Sequence, residues 1–106
     1  MERACFLLRI KKDRITEYRK THEPVWPELL LAIRDAGIRN YSMFLRDDGL
    51  LIGYLEADDV QASLKKVGAT DVSRRWEERM SPFFEGRSGD RREAQMEWVE
   101  QIFHTE

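Results

Sequence analysis

Ala4, Phe6, Leu8 and Ile10 alternate with Cys5, Leu7 and Arg9. This period of two predicts a strand over residues 3–11 with apolar side chains on both faces. Asp13 is placed to cap a helix that carries Ile15, Tyr18, Arg19 and His22 at helical spacing. Pro24 and Pro27 cannot sit inside one unbroken helix, because each lacks an N–H and crowds the preceding turn. A break is expected near His22–Trp26, with a restart that has Pro27 in its first turn and runs through Leu29, Leu30 and Ile33 to a stop at Gly37. Residues 38–46 and 50–57 then alternate as two strands joined across Arg46-Asp47-Asp48-Gly49, where Asp-Gly is a strong hairpin signal. Tyr41, Met43 and Leu45 share one face of the first strand. After Asp58-Asp59, Val60, Leu64 and Val67 recur at helical spacing up to Gly68. Thr70 or Asp71 can cap a further helix whose inward face holds Val72, Trp76 and Met80, and Pro82 limits its continuation. Residues 85–95 are rich in Gly, Arg and Asp and are expected to form a mobile loop, and residues 96–103 a final strand.

The order β-α-β-β-α-β over residues 1–106 is that of one α+β domain. Its natural solution is a ferredoxin-like antiparallel sheet with helices on one face. The other face would also carry apolar and aromatic side chains. A second copy of the chain, making a homodimer, is the simplest cover for it.

Composition narrows the setting. At 42% hydrophobic and 36% charged residues the chain is folded rather than disordered, and its 106 residues allow one modest core. A net charge of −2 gives no long-range attraction to nucleic acid or to an acidic membrane surface. The single Cys5 excludes an internal disulfide framework and fits a reducing compartment. No apolar run is long enough to span a bilayer, and the first residues are too interrupted for a secretory signal, so a cytoplasmic location is expected.

The densest chemistry lies between Tyr18 and Leu29. Tyr18 and His22 are four residues apart and project from one helix face, which sets two proton-exchanging groups side by side. A lone histidine on a half-buried helix is more often structural, and a tyrosine there more often packs with its hydroxyl satisfied. No metal-ligand spacing is present: one thiol and two scattered imidazoles, His22 and His104, make a poor donor set. Glycines are dispersed among turns rather than gathered into a phosphate loop. Neither Ser42 nor Ser73 has a recognisable nucleophile motif. Arg74-Arg75 and Arg91-Arg92 lie among acidic residues and suit solvated faces better than a nucleic-acid patch. Trp76 at helical spacing suits the core. Alternatively it offers an apolar wall to the C–H face of a sugar, whose hydroxyl rim would be met by tyrosine and histidine.

Several blocks in order resemble the L-rhamnose mutarotase family. They are Tyr18 followed by His22, the run Pro24-Val25-Trp26-Pro27-Glu28-Leu29, Asn40-Tyr41-Ser42 entering a strand, and Ala69-Thr70-Asp71-Val72 leading to Arg75-Trp76. Together they cover most of residues 3–84. The resemblance implies a cofactor-free enzyme that interconverts the anomers of L-rhamnose or a related deoxy sugar, built as a homodimer in the dimeric α/β-barrel arrangement. It implies that His22 is the proton donor and that Tyr18, Tyr41 and Trp76 contact the sugar. Glu77 stands where the best-known members have a second tryptophan; a carboxylate cannot supply that apolar wall but can accept hydrogen bonds from hydroxyls. Two other readings belong to the same fold: a monooxygenase or haem-degrading protein, and a binding module in which Tyr18, His22 and Trp76 only pack.

Overall fold

The structure is a computed structural model that describes residues 1–21, 25–85 and 96–106. Strand β1 runs over Glu2–Arg9, followed by a 3₁₀ turn at Lys12–Arg14 and helices α1, Ile15–Thr21, and α2, Pro27–Asp35. Strands β2, Arg39–Leu45, and β3, Leu50–Ala57, form the hairpin. Helices α3, Val60–Gly68, and α4, Asp71–Met80, come next, then a 3₁₀ turn at Ser81–Phe83 and strand β4, Glu97–Val99. The sheet order is β2-β3-β1-β4 with every neighbouring pair antiparallel, the ferredoxin-like topology expected from the order of elements.

Local chemistry sets the boundaries. Gly37 adopts φ +91° just past the end of α2, and Gly49 adopts φ +94° in the hairpin loop, both conformations that a side chain resists. Pro27 occupies the first turn of α2, where its missing N–H costs nothing. The Asp59 carboxylate accepts from the Ala62 N–H at 3.1 Å, and the Thr70 hydroxyl from the Ser73 N–H at 3.2 Å, so α3 and α4 each begin on a side-chain cap.

The pleat divides the sheet into two unlike faces. Phe6 lies opposite Gly53 across the β1–β3 pair, and a Cβ at position 53 would fall inside the Phe6 ring. With Leu8, Ile10, Leu51 and Leu55, this face packs under Ile15, Leu29, Val60, Trp76 and Met80 from the helices. The opposite face has no layer over it from the described residues. It carries Arg3, Cys5, Leu7 and Arg9 from β1, Phe44 from β2, Ile52, Tyr54 and Glu56 from β3, and Val99 from β4. On it the Tyr54 hydroxyl donates to Glu56 at 2.6 Å and the Asn40 amide donates to the other carboxylate oxygen at 3.1 Å. Those two bonds hold the Glu56 carboxyl below the usual carboxylate range.

Two expectations change, and a third lies almost wholly outside the described residues. The 3₁₀ turn at Lys12–Arg14 has no side-chain cap, and Asp13 lies within it instead of capping a helix. The final strand is only Glu97–Val99, not 96–103, because β4 pairs with just Cys5, Phe6 and Leu7 of β1 and residues 100–106 have no regular structure. Beyond Val99 the chain leaves the β1 edge although Glu2–Ala4 of β1 continue as strand, so alternation of side chains alone does not make strand. Of the loop expected at 85–95, Glu85 is a bend and residues 86–95 lie outside the described residues.

Candidate active site

A cavity of about 330 Å³ opens between the helix-facing side of the sheet and helices α2, α3 and α4. Its size falls at the small end of the range for ligand pockets, about 300–1,000 Å³. Most of the wall is aliphatic: Leu29 and Ile33 of α2, Leu64 and Val67 of α3, Met43 of β2, and Val25, Ile38 and Met96 from the connecting segments. Polar side chains enter at three positions. Tyr41 comes from β2, and Ser73 and Glu77 from α4, with Trp76 between them in sequence.

The α4 contribution follows from helical geometry. Residues 73, 76, 77 and 80 share one face at i, i+3, i+4 and i+7. Met80 goes wholly into the core, Trp76 and Ser73 are buried, and Glu77 is half-buried at the cavity wall. The Trp76 indole is held edge-on by Trp26, with ring centroids 5.0 Å apart and planes at 81°. The Arg79 guanidinium stacks over Trp26 at 5.8 Å. Arg75 spans from Asp71, at 3.0 Å, to Glu28 in the first turn of α2, at 3.5 Å. These ion pairs are solvent-exposed and worth little as stability. Their geometric effect is to fasten the start of α2, just after the Val25 wall, to the helix that carries Trp76.

Tyr41 reaches the cavity through an irregular stretch of β2. The pairing shifts between Arg39 and Ser42, and Asn40 adopts φ +50°, a conformation asparagine tolerates better than most residues. Tyr41 shares the cavity face with Met43 by strand alternation. Its ring also packs edge-on against Phe6 at 6.3 Å.

The structure therefore brings Tyr41, Trp76 and Glu77, three of the residues singled out in the sequence, to one cavity. Tyr18 is elsewhere: it is buried, with its ring edge-on to Phe83 at 5.8 Å and to Phe84 at 5.7 Å, and it does not line the cavity. His22 lies outside the described residues, in the segment between Thr21 and the cavity-lining Val25. Ser73 carries no nucleophile motif, and its place on the cavity wall is signalled in the sequence only by its spacing three and four residues before Trp76 and Glu77. Among the described residues no three His, Cys, Asp or Glu side chains are grouped to hold a metal ion. No helix among them is long and apolar enough to cross a membrane.

A ferredoxin-like α+β sheet with a small, mainly aliphatic cavity under its helices, marked by one tyrosine, one tryptophan, one serine and one carboxylate, is a domain suited to enclosing a small amphipathic molecule. Residues 3–105 match the sequence model of the L-rhamnose mutarotase family, and the chain belongs to that family, whose members are isomerases acting on sugar anomers. An L-rhamnose mutarotase of Bacillus subtilis is 33% identical over 89 residues, covering 83% of this chain and 85% of that protein. One from Burkholderia orbicola is 37% identical over 76 residues, covering 72% and 73%. The crystal structure of an L-rhamnose mutarotase from Formosa agariphila superposes with a TM-score of 0.77 over 100% of both chains at 20% identity. Tetracenomycin F2 cyclase from Streptomyces glaucescens, a type II polyketide cyclase, superposes at 0.61 with 19% identity, a likeness of fold alone.

Proposed function

We propose that this chain interconverts the α and β anomers of L-rhamnose, or of a closely related 6-deoxy sugar, in the cavity between β2 and α4. The observation that carries this reading is the convergence of Tyr41, Trp76 and Glu77 on one cavity in a chain matched by the family over 3–105. A 6-deoxy pyranose has a hydroxyl rim, flat patches of ring carbon and an exocyclic methyl. The Trp76 indole suits the ring carbons, Tyr41 and Glu77 suit the hydroxyls, and the aliphatic wall of Leu29, Ile33 and Val67 suits the methyl.

Ring opening takes the proton from the anomeric hydroxyl and gives one to the ring oxygen as the bond between that oxygen and the anomeric carbon breaks. The open-chain aldehyde turns about the adjacent carbon–carbon bond. The released hydroxyl then adds to the other carbonyl face, with both proton transfers reversed. The reaction as written needs proton transfers only, with no redox partner or covalent adduct. In this reading His22 is the group that supplies the proton, since an imidazole titrates near neutrality and can give and retake it in one cycle. That role follows from the family motif around Tyr18 and His22. Tyr18 enters the reading through the same motif, its ring fixed by Phe83 and Phe84. The reading also includes a homodimer formed through the uncovered sheet face, a cytoplasmic location suggested by the single cysteine, and no nucleic-acid partner, given the net charge of −2.

Anomer exchange followed by NMR saturation transfer, across L-rhamnose, L-fucose and common aldoses, tests activity and substrate together. Fast catalysed exchange of L-rhamnose is expected, with His22→Ala removing nearly all of it while circular dichroism stays native. Absence of catalysed exchange on every sugar overturns the function. Near wild-type exchange in a folded His22→Ala protein overturns the role of that histidine.

A further inference from the structure

Ser73 is 6% exposed and lines the cavity, yet its hydroxyl makes no hydrogen bond to any other described residue. Its backbone N–H, by contrast, is bound by the Thr70 hydroxyl as part of the α4 cap. The hydroxyl oxygen is not sealed in the core, since among the described residues only Arg14 Nε is a fully buried side-chain polar atom without a partner. It is open to the cavity that Ser73 lines and available to pair with a molecule held there. On the same helix face, one turn on, stands Glu77, and Trp76 lines the cavity beside that pair. Residues at i and i+4 are near neighbours on a helix surface. The serine can donate or accept while an ionised carboxylate only accepts, so together they match the mixed polarity of neighbouring sugar hydroxyls.

We propose that Ser73 is a substrate-binding residue that holds one sugar hydroxyl beside the hydroxyl held by Glu77. The strip Ser73-Trp76-Glu77 then reads the sugar: indole against ring carbon, with the two polar groups next to each other beside it. The inference rests on the proposed function, because it takes the cavity as the sugar site. It goes further in naming the hydroxyl pattern read by α4 as what chooses among deoxy sugars, since apart from Tyr41 the rest of the wall is mostly aliphatic, cannot pair with hydroxyls and tells them apart poorly.

The test uses the full-length protein, anomer exchange, and L-rhamnose with its mono-deoxy ring analogues as probes. Ser73→Ala removes the hydroxyl but keeps the N–H that Thr70 caps, and Ser73→Cys serves the same comparison should the alanine variant not fold. The expected result is a KM for L-rhamnose raised about tenfold with little change in kcat, about what one lost hydrogen bond costs. That penalty should disappear with one deoxy analogue, the one lacking the contacted hydroxyl. Ser63→Ala is the control: Ser63 is equally buried, on α3, but does not line the cavity, and its loss should leave KM unchanged. An unchanged KM in the Ser73 variant, or the same penalty with every analogue, overturns the proposal while leaving the mutarotase reading intact. A wild-type protein that neither exchanges nor binds L-rhamnose overturns both.

Discussion

The indole of Trp76 forms part of the cavity wall and packs by one edge against Trp26, so a single side chain serves both the core and the site. Trp76→Ala should therefore cost about 3–5 kcal/mol of stability, the range for deleting a large buried ring, and should also weaken sugar binding. Urea unfolding and NMR exchange on the same protein check the two effects. A variant that loses stability without any rise in KM would make the ring purely structural. Glu77→Trp tests the neighbouring position from the other side: an added apolar wall should shift preference toward L-rhamnose over L-fucose, and identical rate ratios before and after would show that position 77 does not choose the sugar. Gly53 sets a different constraint, because the Phe6 ring occupies the space a Cβ would need. Gly53→Ala should lower stability by about 1–3 kcal/mol, as overpacking does, with the thermal midpoint as readout.

At the scale of elements, the hairpin joining β2 and β3 is stabilised by chemistry that responds to acid. Arg46 donates to both Asp48 oxygens, at 2.8 and 2.5 Å, and the Leu50 N–H donates to the same carboxylate at 3.2 Å. The Arg46 hydrogen bonds come first and the Leu50 bond second in holding Asp48 well below the usual carboxylate range. A carboxyl depressed in the folded state contributes stability above its unfolded pKa, about 3.9, and loses it as pH falls through the lower folded value. Wild type should lose more thermal stability than Asp48→Asn as pH drops from about 5 to about 2. Parallel acid limbs for the two proteins would show that this carboxylate does not stabilise the turn. The elements legible in the sequence are those with such local determinants: the Asp-Gly turn, Gly37, Pro27, and the caps at Asp59 and Thr70. What was not legible depends on contacts far along the chain. Tyr18 reads as a partner for His22 by spacing, but its ring neighbours are Phe83 and Phe84, which no local pattern connects to it. β4 leaves the β1 edge after Val99 although β1 continues to Glu2, which no local pattern marks, and Ser73 gains its meaning only from the cavity it faces.

At the scale of the whole molecule, the decisive feature is the uncovered side of the sheet. Phe44 is 61% exposed near the end of β2, and Leu7, Ile52 and Val99 continue an apolar band across β1, β3 and β4. Left in water, such a surface forfeits roughly 25 cal/mol for each Å² of apolar area, and patches of this kind mark interaction sites. Charges of both signs border the band: Arg3 and Arg9 from β1, Glu56 from β3 and Glu97 from β4. Two-fold pairing of identical faces can set arginines of one copy against carboxylates of the other while the apolar bands meet. Beyond β4, Ile102 is 89% and Phe103 76% exposed, with no cover from the described residues. A second copy would cover both surfaces at once. We expect sedimentation equilibrium to give a homodimer at micromolar concentration. Phe44→Glu should shift it to monomer, with circular dichroism unchanged because Phe44 lies outside the core. Removal of residues 100–106 should weaken the dimer without unfolding the sheet, since β4 stays in place. A wild-type monomer would overturn the sheet-face assembly, whereas a Phe44→Glu protein that stays dimeric would move the interface off this face. An undiminished dimer after truncation would restrict the contact to the sheet.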